Sequence, residues 1–141
     1  MIRITSVNRC RTADFDNIYL IVRSIESLKR SRNSILNSAI QVSDLAPSKS
    51  LFYRHLDWNK AGCWNKNKFE TEYAPTFLNE LNNNQNAKIW LNKIAADDKA
   101  GKKIALLCFC KDEDLCHRTI VGEILKQKGC NIVFDKDVYT K

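Results

Sequence analysis

The run from Ile104 to Val133, IALLCFCKDEDLCHRTIVGEILKQKGCNIV, limits the architecture of this chain more than any other segment. Ile104 to Cys108 is a short apolar stretch, suited to a strand buried on both faces. Ile120, Val121, Ile124 and Leu125 recur at helical spacing, and Gly129 stands where a left-handed residue ends a helix. Ile132 to Phe134 resumes as strand. Two strands joined by a helix are expected to lie parallel with a right-handed crossover. The segment therefore predicts an α/β fold.

Two further strands fit that sheet. Ile2 to Val7 alternates apolar and polar residues, and Ile18 to Val22 is almost wholly apolar and rich in β-branched side chains. Four strands give a small, mostly parallel sheet flanked by helices. Between them, Phe69, Tyr73, Phe77 and Leu81 step by four and form one apolar stripe, read as core. Pro75 should kink or restart that helix. Pro47 breaks the chain within Asp44 to Ser48, Asn82 to Asn84 punctuate it again, and Trp90, Leu91 and Ile94 mark a second short helix. With 44% hydrophobic and 28% charged residues, the 141-residue chain is expected to be a single domain over 1–141.

Met1 is followed by alternation, not by the apolar stretch of an export signal, and no run approaches the roughly 18 apolar residues that span a bilayer. A soluble cytoplasmic protein with no membrane partner is expected. In a reducing compartment the six cysteines are read as free thiols, metal ligands or a redox centre, not as disulfides. The net charge of +7 favours anionic partners, although only Arg23 with Lys29, Arg30 and Arg32 forms a cluster.

Chemistry gathers in one place. Cys108 and Cys110, two apart on an extended segment, share a side of the chain. Cys116, His117 and Arg118 open the following helix, and His117 faces inward with Ile120 and Val121. All five converge at the carboxyl end of the sheet, the usual ligand end of an open α/β fold. As a reacting centre, Cys108, Cys116 and His117 supply thiols with lowered pKa and an imidazole, and Arg118 holds a phosphate or carboxylate. As a metal site, Cys108, Cys110, Cys116 and His117 offer the four donors that zinc takes. Their spacing is unlike a zinc finger, and joint ligation by Cys116 and His117 needs the helix to start at or after them. The third reading is structural, with small buried thiols and a hydrogen-bonded core histidine. Asp114 is the best-placed N-cap of the helix. Cys10, Cys63 and Cys130 suggest no partners. No Cys-x-x-Cys pair is present, and position 112, where a cysteine phosphatase would need its thiol, is aspartate.

The segment LLCFCKDEDLCHRTIVGEIL resembles the signature of the domain-of-unknown-function 488 family, with Leu106, Leu107, Cys108, Cys116, His117 and Arg118 in matching positions. Asp44 to Ser48 and the aromatic stretch from Phe52 to Tyr73 resemble that family's Leu-Ala-Pro-Ser segment and following helix. Cys-Phe-Cys at 108–110 is similar to a related group with Cys-aromatic-Cys before Cys-His. The resemblance implies an α/β fold, a shared site at Cys108, Cys116, His117 and Arg118, and an association with nucleotide or nucleic-acid processing.

The expectation is a domain that binds or processes a phosphate-bearing substrate, a nucleotide or nucleic acid. The alternatives are a zinc-bearing nucleic-acid-binding or interaction module without catalysis, and a protein-interaction factor such as an inhibitor from a mobile element. In the last case Arg23 to Arg32 and exposed Trp58 or Trp64 would meet a protein partner.

Overall fold

A computed structural model describes residues 1–31, 34–110 and 112–138. Arg32 of the basic cluster and Lys111 of the cysteine loop lie outside the described residues. The elements run β1 (Ile2–Ser6), β2 (Asn17–Leu20), α1 (Glu26–Ser31), β3 (Ala39–Gln41), α2 (Lys49–Lys60), α3 (Lys66–Lys68), a π-helical turn (Phe69–Tyr73) and α4 (Ala74–Asn82). They continue with α5 (Gln85–Lys99), β4 (Ile104–Cys108), α6 (His117–Gln127), β5 (Ile132–Phe134) and α7 (Asp135–Val138).

All strand pairings are parallel, in the order β3-β2-β4-β1-β5. The fold is α/β, as the sequence predicts. β4 lies at the centre and every one of its residues is fully buried, which explains its uninterrupted apolar sequence. Tyr19, Leu106, Ile4 and Phe134 stand in register across four strands and so share one face. α5 covers that row with Trp90, whose ring meets Tyr19 edge-on at 5.6 Å. α6 covers its other end, and Gly122 approaches Ile4 and Phe134 there.

Topology locates the site. The chain leaves β2 toward the β3 edge of the sheet and leaves β4 toward the β5 edge. Adjacent strands whose connections diverge in this way open a crevice beyond their carboxyl ends.

The helical run from α3 through the π turn to α4 departs from expectation. Phe69, Tyr73, Phe77 and Leu81 are all buried, as the stripe predicts. Steps of four residues overrun an α-helical turn by about 40° each. The wider π turn at Phe69–Tyr73 takes up part of that drift and places Pro75 at the start of α4, where its missing N–H is tolerated. The segment around Pro47 is also explained. Ser48 caps α2 by accepting from the Leu51 N–H at 3.1 Å, and the Ser48 N–H donates to Glu80 Oε1 at 3.0 Å.

Gly122 offers a test of the helix-on-sheet contact. A Cβ there would lie 2.7 Å from Phe134 Cε1 and 3.1 Å from Ile4 Cγ1. Alanine's better helix propensity is worth about 1 kcal/mol, whereas overpacking a dense core costs about 1–3 kcal/mol. Gly122→Ala is expected to destabilise the protein in urea denaturation by about 1 kcal/mol; an unchanged or raised midpoint would refute this packing.

Candidate functional site

Cys108 ends β4 with its sulfur fully buried. The chain then turns through Phe109, and the Cys110 N–H donates back to Cys108 Sγ at 3.3 Å. Cys116 is extended, at φ −124° and ψ 142°, and serves as N-cap of α6. His117 is the first helical residue. The roughly 100° divergence of neighbouring side chains on a helix therefore does not apply, and the condition for joint ligation is met. Cys116 Sγ lies 2.9 Å from Cys108 Sγ, and both thiols are free.

His117 is oriented by the main chain. Its Nε2 sits 2.6 Å from the Ile21 carbonyl just beyond β2. A carbonyl only accepts, so Nε2 carries a proton and Nδ1 is the nitrogen left to face the sulfurs. Nδ1 faces Cys116 Sγ at 3.8 Å. The Phe77 ring packs against the imidazole edge-on at 5.7 Å. A carbonyl holding the far nitrogen of a histidine is a common support for a metal ligand.

The donor atoms of Cys108, Cys110, Cys116 and His117 all lie within 4.8 Å of one another. Thiolates about 2.3 Å from zinc stand roughly 3.7 Å apart in a tetrahedron. The cluster is thus within side-chain adjustment of a zinc site, and its soft donor set suits that ion. Cys10, Cys63 and Cys130 do not join it.

Arg118 lies beneath the cluster with 1% exposure. Its NH1 group donates to the Cys110 carbonyl at 2.6 Å and to Cys108 Sγ at 3.5 Å. NH2 lies 3.6 Å from Asp135 Oδ2. Asp135 is itself buried and also meets Arg3 at 3.1 Å and Arg9 at 3.3 Å. Arg118 thus faces protein acceptors and is absent from the pocket lining described below.

The electrostatics single out Cys108. Hydrogen bonds from Cys110 and Cys116, then the nearby His117 and Arg118, hold its thiol well below the ordinary range. Burial, reinforced by the neighbouring sulfurs, pushes Cys116 well above its ordinary range. The lowered pKa expected at the helix start belongs to the strand-end thiol instead. Asp114 is not the N-cap either. Asp112 accepts from the Asp114 N–H at 3.0 Å, shaping a 3-10 turn over Glu113–Leu115 ahead of the uncapped α6.

Beside the cluster opens a cavity of about 420 Å³, in the crevice between the ends of β2 and β4. Cys110 and His117 form part of its wall, with Ala46 and Pro47 of the Leu-Ala-Pro-Ser segment. Arg23, Arg30 and Lys49 bring positive charge, and Phe52, Tyr53 and Phe109 bring aromatic rings. Arg23 is steadied by donating from Nε to the Pro47 carbonyl at 2.8 Å.

The family model DUF488-N3a, described as the active DUF488-N3 subclade, matches residues 2–129. The chain belongs to the DUF488 family. Searches of curated proteins and of solved structures give no significant match. The cysteine, histidine and arginine positions that carried the resemblance are the ones the fold gathers at its ligand end.

Two residues of this DUF488 site carry no signal in the sequence motifs. His55, the only other histidine, lines the same cavity from α2 and stacks near Trp64 at 4.2 Å. Burial, then the proximity of His117, holds its pKa below the usual value. The rarity of histidine was the available signal. Asp135 is the other, and nothing local to it announced burial. Trp58 and Trp64, expected to be exposed, are half-buried and stacked on each other at 6.0 Å.

The Asp135 contacts give a stability test. Removing one partner of a buried ion pair costs about 3–5 kcal/mol because the other charge stays buried. Asp135→Asn is expected to lose about 3 kcal/mol in denaturant unfolding, and Arg9→Ala, half in solvent, much less. Equal small losses would show that Asp135 does not neutralise Arg118.

Proposed function

We propose that Cys108, Cys110, Cys116 and His117 form a metal centre, zinc by its donor chemistry, in the wall of a pocket that binds or processes a phosphate-bearing substrate. A nucleotide or a nucleic-acid residue is the class favoured. The observation that carries this reading is the meeting of four donors with a cationic, aromatic-lined cavity, where His117 belongs to both. Zinc held there would act as a Lewis acid toward an oxygen of substrate or water.

The chain's own groups divide the remaining work. Arg23, Arg30 and Lys49 hold the substrate's anion at the cavity, and Arg118 stabilises the Cys108 thiolate from below. Cys108 and Cys116 are the buried face of the centre, whereas His117 and the half-buried Cys110 border the cavity. His55, whose pKa burial holds below the usual value, is placed to accept or return a proton on the substrate side. The description of the matched subclade as active supports chemistry over scaffolding.

A second reading has one observation in its favour. Four protein donors are a full coordination set, as in structural zinc sites, so the centre would fix the strand-to-helix turn without catalysing anything.

Elemental analysis after expression with zinc is expected to give roughly one zinc per chain. Cys116→Ser and His117→Ala should abolish retention, and a chelator should lower Tm. A metal-free protein whose Tm ignores zinc and chelator would sink both readings. Titration with UMP then separates them: the substrate reading requires binding that Arg30→Ala weakens, and a zinc-bound protein indifferent to UMP leaves the structural centre.

A further inference from the structure

α2 carries an exposed face that neither the core nor the cysteine cluster uses. Lys49, Phe52, Tyr53 and Lys60 fall on one side of the helix by their spacing. Phe52 is 44% exposed and Tyr53 60%, with their rings edge to face at 5.8 Å. Two large neighbouring rings left this exposed form an apolar patch of the kind contact surfaces use. On the flank, Arg54 lies over the half-buried Trp58 at 5.0 Å, and Lys68 approaches the same ring at 5.5 Å.

The charge of this face is positive on balance. Glu26 pairs with Lys29 on α1, and Glu70 and Glu72 of the π turn pair with Lys66 and Lys68 of α3. That leaves Lys49, Arg54, Lys60 and Arg30 outside any ion pair among the described residues, against Asp57 on α2. Lys49, Phe52 and Tyr53 also form part of the cavity rim. The strip is therefore continuous with the pocket.

We infer that α2 is a track for single-stranded nucleic acid. Bases stack on Phe52 and Tyr53, phosphates lie along Lys49, Arg54 and Lys60, and one nucleotide enters the cavity between Arg23, Arg30 and His117. Protruding rings need unstacked bases, which a duplex does not offer. The cavity, about 420 Å³, is at the small end of the ligand-pocket range and suits one nucleotide-sized unit rather than a helix. The chemistry awaiting that nucleotide rests on the metal-centre proposal; the track does not.

The test is fluorescence anisotropy with a labelled oligothymidylate, against a hairpin duplex, UMP and polyglutamate as competitors. The oligothymidylate should bind with an affinity that falls as salt rises. Phe52→Ala with Tyr53→Ala should weaken it about tenfold or more. Lys49→Ala with Arg54→Ala should flatten the salt dependence by roughly 0.7 for each phosphate no longer neutralised. All four side chains are exposed or rim-facing, so circular dichroism of the variants should match the parent. The inference is overturned if the aromatic variant binds equally, if duplex binds as tightly, or if polyglutamate competes as well as the strand. Zinc content, read on the same samples, keeps the two proposals apart. Zinc and UMP binding without strand binding sinks the track alone, and strand binding by a protein that never holds zinc upholds the track and sinks the metal centre.

Discussion

A guanidinium with 1% exposure needs acceptors within the protein, and the two terminal nitrogens of Arg118 find them in three parts of the chain. The Cys110 carbonyl fixes the turn after β4, Cys108 Sγ ends the central strand, and Asp135 begins α7 beyond the edge strand. Asp135 in turn draws Arg3 of β1 and Arg9 beyond it. One buried cation therefore ties the cysteine turn to the strands beside it. The same cation favours the thiolate at Cys108, so the chemistry of the centre and the closure of the β5 edge depend on one charge. A phosphate clamp must reach solvent, and this arginine does not. In the proposed reading the anion-facing role falls to the cations that line the cavity, Arg23, Arg30 and Lys49.

The cluster also depends on strand order. Ile21 directly follows β2, whereas His117 opens the helix after β4. The two strands are neighbours with diverging connections, so the carbonyl of one meets the imidazole of the other at 2.6 Å. That bond fixes the ring so that Nδ1 is turned toward the sulfurs. It also stands at the crevice where the cavity opens. Donor geometry and the opening of the cavity are two consequences of one topological feature.

How far the sequence revealed this depends on whether each signal was local. β4, α6 and β5 were legible because a central strand must be apolar throughout and a covering helix must show its 3.6-residue stripe. The cysteines, His117 and Arg118 were legible because they fall within eleven positions of one another. β3 was not, since a three-residue edge strand with Ile40 54% exposed has no buried face to show. The π turn was hidden because Pro75 reads as an interruption, although the structure absorbs it at a helix start. Asp135 looks like any acid after a strand, and only the pairing of β5 with β1 brings Arg3 to it. His55 reaches the cavity beside His117 through tertiary packing, which no local spacing encodes.

Charge balance bears on which role the centre plays. Three thiolates overcompensate a dication by one negative charge, and a buried excess of that kind needs a cation close by. Arg118 supplies it from the side of Cys108, although Asp135 shares its charge. Asp135 is itself met by Arg3 and Arg9, so the balance left toward the sulfurs stays positive. The surroundings thus suit a fully thiolate-bound ion. They also suit one in which Cys110 yields its place, because Cys110 is the thiol that borders the cavity while Cys108 and Cys116 are sealed. In the proposed reading that thiol borders an aromatic, cationic pocket which His55 also lines, a placement a purely structural site would not require. The position of Cys110, more than the number of donors, is what favours a working centre.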